Sequence, residues 1–261
     1  MKKILLLIIL FPFVHSCNDW EDGRVDLIRS NTFVQGYCDI KGVLAYCDTD
    51  NCIWLYEYIE HILVWYSASH NSEKFWELSE KHSDKNFNRL VLDDQLLKNE
   101  YFSEDFSAIT ITSDRDFDEA HPAGTPLNDV ARFITVTPAR FIKSGYTDTF
   151  DWDGYEKLSV FKRYFAYTLA KTDGYKPGHI TLGRENIFPV YKMVGELTAD
   201  DMALLGRGVI QIHQQHGATD PFAVIEFTRT PATPGAHSVS IVITTDSGTT
   251  YRVEPLKVSF T

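Results

Sequence analysis

The sequence predicts a mainly β protein, an immunoglobulin-like antiparallel β-sandwich with a helical N-terminal elaboration, and thus α+β overall. Three observations favour this fold class. Short segments rich in β-branched residues recur at roughly 8- to 12-residue spacing in the C-terminal part. Gly, Pro and Asp lie between these segments, as is typical of turns between strands. In the N-terminal part, apolar residues recur at intervals of about three and four, which indicates a helix face.

The N-terminus has the pattern of a secretory signal peptide. Two lysines precede an apolar run over residues 4–14, which is too short for a membrane-spanning helix of about 20 residues. The run is followed by His15, Ser16 and Cys17, and this end resembles the lipobox of bacterial lipoproteins. The resemblance implies removal of residues 1–16, lipidation of Cys17 and attachment to the outer membrane through lipid. An ordinary secretory signal with a nearby cysteine is the alternative.

The chain after the signal is acidic. Loss of residues 1–16 removes two lysines and changes the net charge from −11 to −13, which argues against nucleic acid as a partner. Acidic residues shortly after Cys17 resemble the surface-export signal of Bacteroidetes lipoproteins, and a solvated linker is the alternative. We therefore expect an acidic tether over 17–32 and one globular domain over 33–261, facing the cell exterior or the periplasm.

The globular domain is expected to have two parts, and three cysteines lie in the first. The helical, cysteine-bearing part covers about 33–100, and the β-sandwich part about 101–261. Cys38, Cys47 and Cys52 allow one disulfide and one spare thiol in an oxidising compartment, and the sequence leaves the pairing open. No C-x-x-C pair accompanies them, so a local disulfide is favoured over zinc.

Two helices are predicted in the first part. The apolar residues of 53–66 follow a helical spacing and include several aromatic side chains, so this helix is expected to be buried or to contact a partner. A second helix is predicted over 73–81, with Ser72 as its N-cap.

The second part is predicted to consist mainly of strands. Residues 164–169 are assigned to a strand rather than a helix, and Thr198 is expected to cap a short helix. Residues 108–112 and 133–137 are expected to be two strands of one sheet. The remaining predicted strands are 209–212, 222–227, 239–245 and 250–253, with a hairpin loop at 246–248.

Two groups of residues are weak metal candidates. Asp114, Asp116 and Asp118 alternate as calcium ligands would, but residue 119 is not the glycine that an EF-hand needs, so a looser site or a solvated loop remains. His213 and His216 are three residues apart, and they converge on zinc only if a turn intervenes. We expect no cofactor.

The segment 113–129 carries a family resemblance. Ser-Asp at 113–114, His-Pro-Ala-Gly at 121–124 and Leu-Asn-Asp at 127–129 resemble a stretch of uncharacterised Bacteroidetes outer-membrane lipoproteins. These lipoproteins share a domain of unknown function, and the resemblance extends from about residue 108 to the C-terminus. It implies no catalytic residue. Physically, His121, Gly124, Asn128 and Asp129 are expected to fix a loop between strands.

These observations lead to three hypotheses about function. The chain lacks the common hydrolase and nucleotide-binding motifs, so the first hypothesis is a non-enzymatic binding or adhesion module with an unknown protein or glycan ligand. The second is a surface or periplasmic hydrolase that acts on glycans through carboxylates near Asp114 or Asp151. The third is an envelope partner or inhibitor protein that binds through the aromatic segment 53–66.

Overall fold

A computed structural model of the protein describes residues 27–48, 52–57, 64–92, 100–165, 184–207 and 221–261. The described residues form a mainly β structure with several antiparallel sheets. The strands are β1 Leu27–Ser30, β2 Gly36–Cys38, β3 Val43–Cys47, β4 Cys52–Glu57, β5 Trp65–Tyr66, β6 Arg89–Leu92, β7 Glu100–Phe102, β8 Phe106–Ser113, β9 Ala131–Thr137, β10 Phe188–Met193, β11 Gly206–Arg207, β12 Ala223–Phe227, β13 Gly235–Thr245 and β14 Thr250–Phe260. The α-helices are α1 Ser72–Lys81, α2 Ala139–Lys143, α3 Leu158–Phe165 and α4 Ala199–Met202.

Two antiparallel sheets share the main core. One has five strands in the order β10-β9-β12-β4-β3, and the other has three in the order β14-β13-β8. Strand β13 alternates buried and partly exposed residues, so that one of its faces packs inward. The core between the sheets contains apolar side chains from both, among them Ile53, Leu55, Phe133, Ile225, Ile109, Ile111, Ile241 and Ile243. Burial of these side chains holds the two sheets against one another.

A second core lies beside the four-stranded sheet, whose order is β11-β7-β2-β5. Within this sheet β2 and β7 are parallel, and the other pairs are antiparallel. Helix α1 contacts β2 and β5, and its buried Phe75 and Leu78 join the aromatic side chains of this core. The aromatic members are Phe33, Tyr37, Phe75, Phe87, Tyr101, Phe141, Tyr146 and Phe188.

The predicted helix over 53–66 is wrong where the structure describes this segment. Residues 52–57 form β4 and residues 65–66 form β5, so the described part of 33–100 contains more strand than helix. The physical reason is that β4 is covered on both faces. Ile53 and Leu55 face the main core, whereas Trp54 packs edge-on against Tyr164 of α3. A strand buried on both faces lacks polar alternation and resembles an apolar helix segment.

The predicted helix over 73–81 is confirmed as α1, but its cap differs. Ser72 is the first helical residue, and Asn71 at the N-cap has a φ of 51° without a side-chain capping bond. The short helix after Thr198 is also confirmed, because Thr198 and Asp201 form a reciprocal capping box at the start of α4. Residues 164–165 end helix α3, which corrects the strand assigned to 164–169, and residues 166–169 lie outside the described residues.

The strands of the C-terminal part agree with the prediction, with one correction. The hairpin loop is confirmed between β13 and β14, where Gly248 has a φ of +90°. Residues 108–112 and 133–137 are both strands, but they lie in different sheets, because β8 pairs with β13 and β9 pairs with β10 and β12. The predicted strand 209–212 lies outside the described residues.

The folded body begins earlier than the predicted tether allows. Residues 27–30 form β1, which pairs antiparallel with β6, and Thr32 is buried. The tether over 17–32 is therefore corrected at its end, because ladder hydrogen bonds hold 27–30 against β6. Residues 1–26, including the predicted signal peptide and Cys17, lie outside the described residues.

Candidate functional site

The three aspartates of the candidate calcium site accept hydrogen bonds from backbone amides of their own loop and of strand β13. The carboxylate of Asp114 accepts a hydrogen bond from the amide of Ser238 at 2.7 Å. Asp116 accepts one from the amide of Ala123 at 2.8 Å, and Asp118 bonds in the same loop. Within the described part of the chain, no three His, Cys, Asp or Glu side chains are grouped as metal ligands. His213 and His216 lie outside it.

His121 bridges two carboxylates in this loop. Its Nδ1 lies 2.7 Å from Asp118 and its Nε2 lies 2.8 Å from Asp129, while Arg229 contacts Asp118 at 2.6 Å. The imidazole is only 8% exposed. The hydrogen bond to Asp118 raises the pKa of His121, and the bond to Asp129 adds to this effect, whereas desolvation opposes it. The arrangement favours an imidazolium with both nitrogens donating.

We expect His121 to stabilise the protein most at acid pH. Its pKa is raised above the ordinary 6.5 in the folded state, so its contribution is complete below pH 6.5 and is lost as pH rises through the raised value. The difference in unfolding free energy between wild type and His121→Gln, measured in urea from pH 5 to 9, should shrink as pH rises. A difference that does not change with pH would contradict this. His70→Gln, at an exposed histidine, is the control.

Asn128 covers the outer edge of strand β8. Its Oδ1 accepts from the amide of Ile111 at 3.1 Å, and its Nδ2 donates to the carbonyl of Ile109 at 2.8 Å. The amide of Gly124, which has a φ of +79°, donates to Ser113 at 2.8 Å. An uncovered edge strand is a template for pairing with other chains, so this loop also protects the sheet from association.

Replacing Asn128 with alanine should lower the unfolding free energy by about 1–3 kcal/mol, because two polar backbone groups of β8 lose their partners. The variant should also associate at high protein concentration, since the edge becomes available. Urea unfolding and sedimentation velocity measure the two effects. Asn128→Asp keeps the acceptor and loses the donor, so it should fall between wild type and Asn128→Ala. Equal stability of Asn128→Ala and wild type would contradict the conclusion that the Asn128 side chain stabilises the edge of β8.

The three disulfide candidates are not joined to one another among the described residues. Cys47 packs against the main core, whereas Cys52 lies in the cluster on the opposite face of the five-stranded sheet, where its sulfur is 3.2 Å from the hydroxyl of Tyr164. The two thiols therefore lie on opposite faces of the sheet. A disulfide between Cys47 and Cys52 could form only if a strand moved. Burial raises the pKa of Cys47 to about 11, which keeps its thiol protonated.

A cleft of about 590 Å³ lies between α1, the end of β7 and the β13–β14 hairpin. Its apolar floor is formed by Ile40, Val64, Tyr66 and Leu78. Its polar residues are Asp39, Lys41, Lys74, Lys81, Ser103, Glu104, Asp246 and Ser247. The fold brings them together because β2 and β7 are parallel neighbours, so the residues that follow both strands lie at the same end of the sheet.

Two carboxylates in the cleft are held by hydroxyl groups. Asp39 accepts hydrogen bonds from Ser103 and from the hydroxyl of Tyr66, the latter at 2.7 Å. Burial and the neighbouring Asp39 raise the pKa of Tyr66 to about 12, so its hydroxyl remains a donor. Glu104 accepts from Ser247 and from the hydroxyl of Tyr251, which lies 3.3 Å away. Both carboxylates are therefore fixed in position before any ligand arrives.

Lys81 connects the two walls of the cleft. At the last residue of α1, its Nζ lies 3.0 Å from Asp105 and 2.7 Å from Asp246 of the hairpin. The amide of Asp246 also donates to the carbonyl of Asp105 at 2.9 Å. The ion pairs with Asp246 and Asp105 hold the pKa of Lys81 above its usual value although burial opposes this. These contacts fix the width of the cleft at this end.

A second, shallower hollow of about 490 Å³ lies beside α2 and α4. Each of its basic groups has an acidic partner: Arg140 pairs with Asp148, and Lys143 contacts Asp200 at 2.8 Å. Lys192 contacts Asp201 at 2.7 Å. Its charges are thus already compensated, in contrast to Asp39 and Glu104 of the cleft.

No family model, no curated protein and no solved structure matches this chain. In the ranges that the structure describes, no helix is both long enough and apolar enough to span a bilayer. The sequence predictions also missed the cleft, because its carboxylates are single acids far apart in the chain. The functional interpretation therefore depends on the geometry of the cleft.

Proposed function

We propose that the protein is a lipid-anchored cell-envelope protein that acts as a non-enzymatic binding module and holds its ligand in the cleft between α1 and the β13–β14 hairpin. The cleft carries this proposal, because it combines an apolar floor with carboxylates that are already fixed. Binding sites are commonly concave and mostly apolar, with a few placed polar groups.

The anchor is part of the proposal. The signal-like residues 1–16, the lipobox-like end at Cys17 and the resemblance to Bacteroidetes outer-membrane lipoproteins support attachment to the outer membrane. A single acyl chain binds a membrane only marginally, so several chains on Cys17 would be needed for stable anchoring. Palmitate labelling should be lost in Cys17→Ser, and external protease on intact cells should degrade a protein that faces the exterior. Labelling that persists in Cys17→Ser would refute the anchor.

We also propose that the two sheets sharing the main core form an immunoglobulin-like sandwich. The apolar core that the five-stranded and three-stranded sheets share supports it. The hydroxyl of Tyr251 at the start of β14 also donates to the carbonyl of Ile40, just before β3, at 3.1 Å. A sandwich of this kind supports binding from its loops and edges, and the cleft lies against the β13–β14 hairpin.

A thermal-shift screen against small molecules and envelope glycans tests the proposed function. Val64 is 41% exposed at the floor of the cleft, so Val64→Arg should block the site without disturbing the core. Leu44→Arg is the matched control, because Leu44 is 48% exposed on β3 and does not line the cleft. Compounds that raise the Tm of wild type and Leu44→Arg, and not that of Val64→Arg, would support the cleft. Compounds that stabilise all three proteins equally would refute it.

A glycan hydrolase is the second candidate, because Asp39 and Glu104 are two carboxylates in one cleft. The acids suggested by the sequence fit this role less well, since Asp114 bonds the amide of Ser238 and Asp151 bonds the amide of Asp153. A hydrolase needs two carboxyl groups about 5 to 10 Å apart across the bond that is cleaved. Release of reducing sugar that stops in both Asp39→Asn and Glu104→Gln would favour the hydrolase over the binding module.

The third hypothesis loses the helix on which it was based, because the described residues of 53–66 form no helix. The partner or inhibitor role depended on an aromatic helix over 53–66, and 52–57 and 65–66 are strands. Trp54 of this segment packs against Tyr164 within the protein.

A further inference from the structure

We propose that the ligand of the cleft is a linear aliphatic polyamine, bound through its protonated amines and its methylene chain. This inference rests on the proposed function of the cleft as a ligand site, and it adds the chemical class of the ligand. The occupant follows from an apolar floor and from the net negative charge of the two hollows that form the groove, which five carboxylates and the three lysines Lys41, Lys74 and Lys81 line.

The floor of the cleft suits methylene groups. Val64 is 41% exposed there, and Ile40, Leu78 and the ring of Tyr66 lie beside it. Beyond Val64 and Tyr66 the groove continues into a second hollow of about 520 Å³ along the first turns of α1. An extended aliphatic chain can follow this apolar path and remove it from water.

The charges of the groove complement a cation. Lys81 compensates Asp246, and Lys74 pairs with Glu77 at 3.3 Å. Asp39 and Glu104 receive hydrogen bonds only from hydroxyl groups, and among the described residues neither forms an ion pair. Hydroxyl donors orient a carboxylate without cancelling its charge, so an incoming ammonium group finds two fixed and uncompensated partners.

The two ends of the groove are both acidic. Asp39 and Glu104 lie at the end near the β13–β14 hairpin, whereas Glu73 and Glu77 lie at the end near the start of α1. Val64, Tyr66 and Lys74 lie between these ends, since both hollows include them, and Lys74 is paired with Glu77. A polyamine has the same order of groups, because its ammonium groups are separated by methylene segments. Because the acids outnumber the lysines along the groove, its lining favours a cation over an anion, and a neutral sugar would leave the charges unused.

Isothermal titration of spermidine into the full mature protein tests the inference. We expect the Kd to rise about tenfold in Asp39→Asn and in Glu104→Gln, since each removes one charge and keeps a hydrogen-bonding side chain. Asp200→Asn is the control, because Asp200 is an exposed acid outside the groove, and its Kd should equal that of wild type. The affinity should also fall with added salt, and 1,8-octanediol, which has no charge, should not bind.

Other outcomes overturn the inference in distinguishable ways. Equal spermidine affinity in all variants would place the amine elsewhere on this acidic protein. Tighter binding of a short lysine-containing peptide than of spermidine would assign the groove to a lysine side chain of a protein partner instead. If spermidine does not bind, and other compounds still stabilise wild type but not Val64→Arg, the polyamine is excluded while the cleft remains a binding site. Circular dichroism of each variant verifies that it is folded.

Discussion

Replacing Asp84 with alanine should lower the unfolding free energy by about 3 kcal/mol at pH 7. Asp84 is fully buried, and its carboxylate accepts hydrogen bonds from the amides of Phe33 and Val34 at 2.7 and 2.8 Å. It also accepts from the hydroxyl of Tyr146 at 2.7 Å. Alanine would leave all three donors without this acceptor inside the aromatic core, and removal of a buried charge offsets only part of the loss.

Chemical denaturation of wild type, Asp84→Ala and Asp200→Ala measures this effect. Asp200 carries the matched substitution, since its side chain is 56% exposed and pairs with the exposed Lys143. The control should therefore change stability by less than about 1 kcal/mol. If the two variants were equally stable, the bonds to Asp84 would contribute nothing measurable.

Asp84 also explains why the folded body includes the N-terminal segment. It lies just after α1, it holds the backbone at 33–34, and Tyr146 follows α2, so one side chain joins three parts of the chain. Phe33 packs edge-on against both Phe87 and Phe141 in the same core. These contacts fix the start of the predicted globular domain, and the pairing of 27–30 with β6 extends the folded body into the segment predicted as a tether.

The strands that the sequence predicts well are those with one buried face. In β8 the side chains of Ile109 and Ile111 point to the core and alternate with Ala108 and Thr110. Such alternation identifies both the strand and its inward face. It does not identify the partner strand, because pairing depends on contacts distant in sequence. This is why β8 and β9 are strands as predicted but belong to different sheets.

The elements that the sequence predicts poorly are those that other elements cover. Trp54 of β4 and Tyr164 of α3 pack against each other, so each segment presents more apolar surface than an element with one solvated face. In α3, Phe161 and Tyr164 are buried at a spacing of three, yet the aromatic run to Phe165 resembles a strand. The contact between Trp54 and Tyr164 therefore contributes to both errors, the helix predicted for the β4 segment and the strand predicted for the end of α3.

The cleft with Asp39 and Glu104 could not be predicted from the sequence, because it too depends on contacts between distant parts of the chain. Metal and catalytic motifs are recognised by spacing, and the acids of 114–118 have such a spacing, although their carboxylates accept hydrogen bonds from backbone amides. Asp39 and Glu104 have no sequence signature, because the parallel pairing of β2 with β7 brings them to one end of the sheet. Their hydroxyl partners come from four further positions in the chain, which are Tyr66, Ser103, Ser247 and Tyr251. Only the assembled sheet defines the cleft.

The protein should lose stability as pH rises from about 4 to about 6 through the titration of Asp84. Burial raises the pKa of Asp84 from 3.8 to about 6, although hydrogen bonds from Phe33, Val34 and Tyr146 act in the opposite direction. The folded state then binds more protons than the unfolded state across this window, so the unfolding free energy falls with rising pH. A difference of about two pKa units corresponds to about 3 kcal/mol, and the effect should level off above pH 7.

Unfolding curves of wild type and Asp84→Asn from pH 4 to 8 isolate this contribution. Other groups, including His121 with its raised pKa, titrate in both proteins and cancel in the difference. Asparagine keeps one acceptor oxygen for the amides of Phe33 and Val34 and does not titrate. The stability advantage of wild type over the variant should therefore be largest near pH 4 and smaller by about 3 kcal/mol near pH 7. An advantage that grows with pH would mean that the hydrogen bonds to the carboxylate outweigh its burial.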